Sequence, residues 1–232
     1  MKYISLKLFG CGLLCAFSLL SASVSAGGIS LGGTRVVYPA DAAQTTISVA
    51  NQSDASTYLI QSWVEKADGT KTSDFIVTPP LYTSAPGNEN VLRIISGGAP
   101  HARDRETLYY FNVKAIPSVN KKAAEGSPAS LVVATVMQIK LFVRPPGLKP
   151  ARQNAADNLA FTRKGEQLVI RNPTPYYLTL SGMKVGSQAL TDVMVPPQGT
   201  GTISLPTGSG NTVTWQSIND YGGLDKGQSR IR

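Results

Sequence analysis

The sequence predicts an all-β protein built as two sandwiches in tandem. Three observations predict it. Helical periodicity is nearly absent along the 232 residues. Short runs rich in Val, Ile, Thr and Tyr recur instead, set apart by Gly, Pro, Asn and Asp. One break, Arg144-Pro145-Pro146-Gly147-Leu148-Lys149-Pro150, divides those runs into a longer and a shorter set, because its prolines and glycine cannot continue a central strand.

The chain opens with a segment of export type. Lys2 and Lys7 supply positive charge, Leu8 to Leu20 is an apolar run, and Val24-Ser25-Ala26 offers small residues for cleavage after Ala26. That run is too short to be a comfortable membrane span. Residues 1–26 are therefore expected to be removed, leaving Gly27–Arg232. Both cysteines, Cys11 and Cys15, leave with them, so packing rather than disulfides must hold the exported protein. The 206 residues that remain fit two domains, 27–146 and 147–232. Loss of the two lysines leaves 20 Lys and Arg against 14 Asp and Glu, a net +6 rather than +8. No basic stripe interleaved with aromatics accompanies that charge, so nucleic acid is not an expected partner.

In the first set the candidate strands are Gly28–Leu31, Arg35–Tyr38, Thr45–Asn51, Thr57–Lys66, Phe75–Thr78, Glu89–Ile95, Thr107–Ile116 and Leu131–Val143. Asp68-Gly69 and Ala85-Pro86-Gly87-Asn88 are turn sequences between them. About seven short strands in roughly 115 residues is the pattern of an immunoglobulin-like sandwich. The second set, Leu159–Arg163, Gln167–Asn172, Leu178–Val185, Thr200–Leu205 and Asn211–Ile218, predicts a smaller β-domain.

Ser130–Val143 (SLVVATVMQIKLFV) stands out among these runs. As one strand it would span roughly 46 Å at ~3.3 Å per residue, well beyond the usual length of about 5–6 residues. One alternating set carries Leu131, Val133, Thr135, Met137, Ile139 and Leu141; the other carries Val132, Ala134, Val136, Gln138, Lys140 and Phe142. Both faces are apolar over the first half, so something must cover both. The cover is either the protein's own second sheet or another protein added along the strand.

Catalysis finds little support. His101, the single histidine, lies beside Pro100 in a polar stretch and reads as a solvated loop residue. The exported part has no cysteine nucleophile, and the chain has no metal-spaced cluster, no GxSxG elbow and no phosphate-binding glycine loop before a helix. Neither a metal nor a cofactor is expected. Two cations, Arg35 and Lys140, sit inside apolar strand patterns. Either each head reaches into water from a stem laid along the sheet, or both converge on an anion. Two cations repel, so a shared site would need an incoming carboxylate or phosphate. Spacing alone favours the first reading.

A resemblance shifts that balance. Gly32–Pro39 (GGTRVVYP), Ser56–Glu65 (STYLIQSWVE), Phe75–Leu81 (FIVTPPL), Asp104-Arg105-Glu106 and Asn112–Ser118 (NVKAIPS) resemble the periplasmic chaperones of chaperone–usher pili, the PapD-like family. So do Ile139-Lys140-Leu141 followed by Arg144-Pro145, Asn172–Thr179 (NPTPYYLT), Val195-Pro196-Pro197 and Ile218–Gly222 (INDYG). These nine blocks keep the family's order over nearly all of the exported chain. The likeness is closest to the type 1 fimbrial branch.

The resemblance implies two immunoglobulin-like domains set at an angle like a boomerang, in the periplasm. It implies that Arg35 and Lys140 grip the C-terminal carboxylate of a pilus subunit in the cleft. It implies further that Leu131, Val133 and Thr135 enter a groove where the subunit's own sandwich lacks a strand, as in donor-strand complementation. Thr135 departs from the pattern, since a larger aliphatic residue is usual there. Glu106, Arg144 and Asp220 match a charge network at the domain junction. The implied partners are fimbrial subunits, the adhesin and an outer-membrane usher, while the long strand leaves self-association of the free protein open. The connection Pro117–Ser130 is short and lacks cysteine, which within the family goes with chaperones of rod-like, adhesin-tipped pili. The alternative reading, a structural or adhesive fimbrial component, fits less well. Such subunits usually carry a disulfide and a single incomplete sandwich.

Overall fold

The computed structural model describes residues 28–118 and 132–232. Its first domain contains β1 (Ile29–Leu31), β2 (Arg35–Pro39), β3 (Gln44–Asn51), β4 (Tyr58–Lys66) and β5 (Phe75–Thr78). It continues with β6 (Leu81–Ser84), β7 (Glu89–Ser96), β8 (Thr107–Pro117) and β9 (Thr135–Arg144). Two sheets face each other, one ordered β1-β3-β7-β5 and the other β2-β9-β8-β4-β6. The second domain contains β10 (Ala160–Lys164), β11 (Gln167–Asn172), β12 (Leu178–Val185), β13 (Gln188–Ala189), β14 (Val193–Val195), β15 (Gly199–Ser204), β16 (Thr212–Ile218) and β17 (Leu224–Arg230). Its sheets run β10-β11-β15 and β13-β12-β16-β17, with β14 also paired to β12. The expected all-β, two-domain class is the observed one.

Period-two alternation builds both sandwiches. On β4, Ile60, Ser62 and Val64 face inward while Leu59 and Gln61 face out. On β8, Tyr109, Phe111, Val113 and Ala115 face inward. These meet Val49, Leu92 and Ile94 from the opposite sheet in one apolar core. A second core forms around Phe161, Leu168, Ile170, Leu180, Met183 and Trp215. Each fully buried side chain of this kind contributes about 1.5–3 kcal/mol from removal of its apolar surface from water.

The two domains share a device the sequence does not announce. Asn51 closes β3, and its Nδ2 donates to the carbonyls of Ser56, Ser84 and Ala85 while Oδ1 accepts from Ser53 N. Asn172 closes β11 in the same way: Nδ2 donates to Tyr176, Val195 and Pro196 carbonyls, and Oδ1 accepts from Thr174 N. Each buried amide satisfies backbone groups where a loop crosses the end of the sandwich.

Several expectations need correction. The long strand begins at Thr135 rather than Leu131 among the described residues and runs one residue further, to Arg144. Its ladder with β8 ends at Ala115 opposite Thr135; Pro117, which lacks an N–H, lies just beyond. Val132, Val133 and Ala134 lie past that ladder and are exposed. Residues 119–131, which include Leu131 and most of the connection Pro117–Ser130, lie outside the described residues, as do residues 1–27. His101 is not solvated. It is half-buried, stacked on Phe75 at 5.7 Å and edge-on to Tyr109 at 5.9 Å. Four strands were not expected at all: β6, β13, β14 and β17.

Candidate functional site

β9 is the element on which the site is built. On one side it pairs antiparallel with β8 along Thr135–Val143. On the other it pairs parallel with β2, but only from Lys140 to Arg144. Thr135–Ile139 therefore presents an outer edge with no strand beside it among the described residues. Unpaired N–H and C=O groups along such an edge are a template for another strand.

The side chains of β9 change surroundings along its length. Leu141 and Val143 are core residues, with Met137 and Ile139 packed against the same core. Thr135, at the end of the ladder, and Val133, past it, continue that alternating set and are exposed, Val133 at 65%. Inward and outward roles are separated along the strand, not between its faces. The opposite face is apolar too at its start, where Val136 is 52% exposed.

Where the open edge ends, the two cations meet. Arg35 and Lys140 are register partners in the β2–β9 pair, so their side chains emerge side by side. Both are half-buried, which excludes the reading of two separate heads in water. Lys140 Nζ donates to Thr179 Oγ1 at 3.1 Å and Arg35 Nη1 donates to the Ile218 carbonyl at 3.1 Å. Each thus reaches across to the second domain. Arg35 also lies over the Phe142 ring at 5.8 Å, and Phe142 stacks on Tyr177 at 5.7 Å. Among the described residues neither cation has a carboxylate partner, and Arg35 Nε is buried without a hydrogen bond. Burial, then the neighbouring Arg35 charge, hold the Lys140 ammonium below its ordinary pKa. Burial, then Arg152, lower Arg35 as well. Such a pair is completed chemically by an anion.

A second constellation spans the two domains. Arg144 donates through Nε to Glu106 Oε1 at 2.7 Å, and through Nη1 and Nη2 to the two oxygens of Asp220, each at 2.7 Å. Glu106 Oε2 accepts from Tyr177 N at 2.8 Å. The three charges named from the sequence are therefore in contact. Arg152 was missed: its Nε lies 3.7 Å from Asp220 Oδ1, and its Nη2 donates to the Ile218 carbonyl. Arg144 lies over the Tyr176 ring at 5.3 Å and Arg152 at 5.8 Å. Tyr176 Oη also donates to the Pro150 carbonyl and so ties the proline-rich break to the junction. Burial works to raise the Asp220 carboxyl, but the Arg144 hydrogen bonds and charge bring it below the usual carboxylate range. Burial wins at Glu106 and raises it, opposed by Arg144.

One more chain of contacts braces β9. Gln138 Nε2 donates to Asn112 Oδ1 at 2.9 Å, Asn112 Nδ2 donates to Glu65 Oε2 at 3.1 Å, and Trp63 Nε1 donates to Glu65 Oε1 at 2.7 Å. The relay crosses three strands on the outward face. Nothing in the sequence pairs these residues except their place on adjacent candidate strands. Among the described residues no helix is long and apolar enough to cross a membrane, and no cluster of His, Cys, Asp and Glu could hold a metal.

Comparison with known proteins decides the family. Residues 28–149 match the model for the pili and flagellar-assembly chaperone, PapD N-terminal domain, and residues 154–229 match that for the pili assembly chaperone PapD, C-terminal domain. The chain belongs to the pilus-assembly chaperones.

This chaperone is 44% identical over 213 residues to the probable fimbrial chaperone SfmC of Escherichia coli K12, covering 91% of this chain and 92% of SfmC. It is 44% identical over 215 residues to the chaperone protein FimC of the same strain, covering 92% and 88%. Among solved structures, the periplasmic chaperone SfaE superposes with a TM-score of 0.74 at 43% identity, covering 88% of this chain and 99% of SfaE. The SafB chaperone of Salmonella enterica, solved in complex with the SafA pilin, gives 0.80 at 32% identity, covering 90% and 98%. The chaperone works in pilus assembly.

Proposed function

We propose that this chaperone is periplasmic, with residues 1–26 as its export signal and domains at 27–146 and 147–232, and that it caps pilus subunits by lending them β9. The observation that carries the reading is the short reach of β2, which leaves Thr135–Ile139 open on one side. A subunit strand entering that lane parallel to β9 extends the line of β2 and ends at Lys140 and Arg35. Its terminal carboxylate then meets two cations that have no acidic partner among the described residues. Main-chain bonds along the edge supply affinity that tolerates different subunit sequences, and Leu131, Val133 and Thr135 enter the groove of the incomplete sandwich. The anchored carboxylate sets the register, since a slip of one residue would turn every apolar side chain to the wrong face.

Glu106, Arg144, Asp220 and Arg152 hold the domain angle that places Thr179 and Ile218 around the anchor. Desolvation offsets much of the attraction in such a network, so its contribution is mainly geometric. The subunit, adhesin included, then passes to an outer-membrane usher, where pairing with the next subunit replaces β9. No catalytic step, nucleotide or metal enters this scheme. SafB, solved with a pilin, supports the choice of partner. The test is recovery of the chaperone from periplasmic extract in a one-to-one complex with a pilin-like subunit. Recovery of the chain polymerised on the cell surface would instead make it a fibre component.

A further inference from the structure

Tyr221 is 96% exposed, the most exposed large apolar side chain among the described residues. It stands at the apex of the β16–β17 hairpin, in a turn tied on every side. Asn219 Oδ1 accepts from Tyr221 N at 3.1 Å and from Gly223 N at 2.9 Å, and Asn219 Nδ2 donates to Asp225. Asn219 N donates to the Gly223 carbonyl at 2.9 Å. The residue before Tyr221 is Asp220, joined to Arg144 by two hydrogen bonds. The residue after it is Gly222, at φ +84°, packed so closely on the first domain that a Cβ there would lie 2.5 Å from Thr34 Oγ1. The turn is held on both flanks while the ring it carries is left almost wholly in solvent. Leu224, 53% exposed, closes the same turn opposite Ile218.

The position of the turn gives the ring a use. Thr34 immediately precedes Arg35, and Ile218 at the base of the turn accepts the Arg35 hydrogen bond. The apex thus borders the place where the open lane beside β9 reaches the cation pair. A rigid aromatic costs little conformational entropy when it is covered, and exposed Tyr presented this way is a favoured binding anchor.

We propose that Tyr221, with Leu224 beside it, is a second-domain contact for the pilus subunit, packing on apolar side chains next to the subunit's terminal carboxylate. This inference rests on the capping reading above. It gives the second domain a direct part in holding the guest, beyond fixing the domain angle.

The test uses full-length exported chaperone and the subunit recovered with it from the periplasm. Tyr221→Ala is expected to fold with an unchanged melting temperature, since the side chain is almost wholly exposed, and to bind the subunit roughly tenfold more weakly through faster release. Tyr221→Phe is expected to retain most of the affinity, because the contact is apolar. Wild-type affinity for Tyr221→Ala overturns the proposal, as does normal capture combined with failed assembly, which would assign the ring to the outer-membrane partner. Lys140→Ala, measured beside it, separates the two readings: undiminished capture by Lys140→Ala sinks the carboxylate anchor itself.

Discussion

Arg35 stands directly opposite Lys140 in a parallel strand pair, so two half-buried cations share one end of an open edge. Like charges placed this way destabilise each other until an anion joins them. That relationship makes the anchor testable apart from the fold.

Lys140→Ala should leave folding intact, since it loses one hydrogen bond to Thr179 but also relieves the charge beside Arg35. Subunit capture should fall about ten- to hundredfold, the equivalent of one charge-assisted hydrogen bond of about 1.5–3 kcal/mol. Titration calorimetry and a thermal melt on the same samples check both halves.

Arg144→Ala should be far more damaging to stability. Glu106 keeps only 1% of its side chain exposed and would be left as a buried charge without its cation. The expected loss is about 3–5 kcal/mol in urea unfolding. The double variant Glu106→Gln with Arg144→Ala should recover part of it. Scattering should show a broader range of domain angles in either variant, because Asp220 then has no bidentate partner.

The junction should respond to acid with a definite sign. Asp220 is depressed in the folded state, so its contribution is present above the ordinary aspartate range of about pH 4 and is lost as pH falls through its lowered value. Glu106 is raised and acts oppositely, its contribution being lost as pH rises through its raised value. Asp220→Asn should therefore flatten the loss of stability on acidification below pH ~4. Denaturant midpoints across that range measure it.

Thr135→Leu should tighten subunit capture by about 1 kcal/mol or more through added apolar area in the groove. Val133→Asp should abolish capture. Neither should change stability by more than about 0.5 kcal/mol, since both positions are exposed in the free protein. Competition binding against the unmodified chaperone ranks the three.

Period-two patterning made the main strands of both domains legible, because most inward side chains are apolar whatever their neighbours. β17 was not legible: Leu224–Arg230 has one apolar residue and earns its place by hydrogen bonding to β16. The start of β9 was overextended for the converse reason. Val132 and Val133 carry the apolar signal, but a ladder also needs a partner strand, and β8 is running out at Pro117. The junction trio came from resemblance, and in the structure Arg144 touches both Glu106 and Asp220. Arg152 carried no pattern, since it lies in a short 3-10 turn and reaches Asp220 only through the fold. The split of roles along β9 was equally hidden, because an alternating sequence does not say where a sandwich stops.

Residue-resolved hydrogen exchange on β9 tests the central claim most directly. The amides of Thr135–Ile139 that point away from β8 should exchange rapidly in the free chaperone and become protected when the subunit is bound, while those bonded to β8 change little. Unaltered exchange at those outward amides in a complex of proven one-to-one composition would contradict the account.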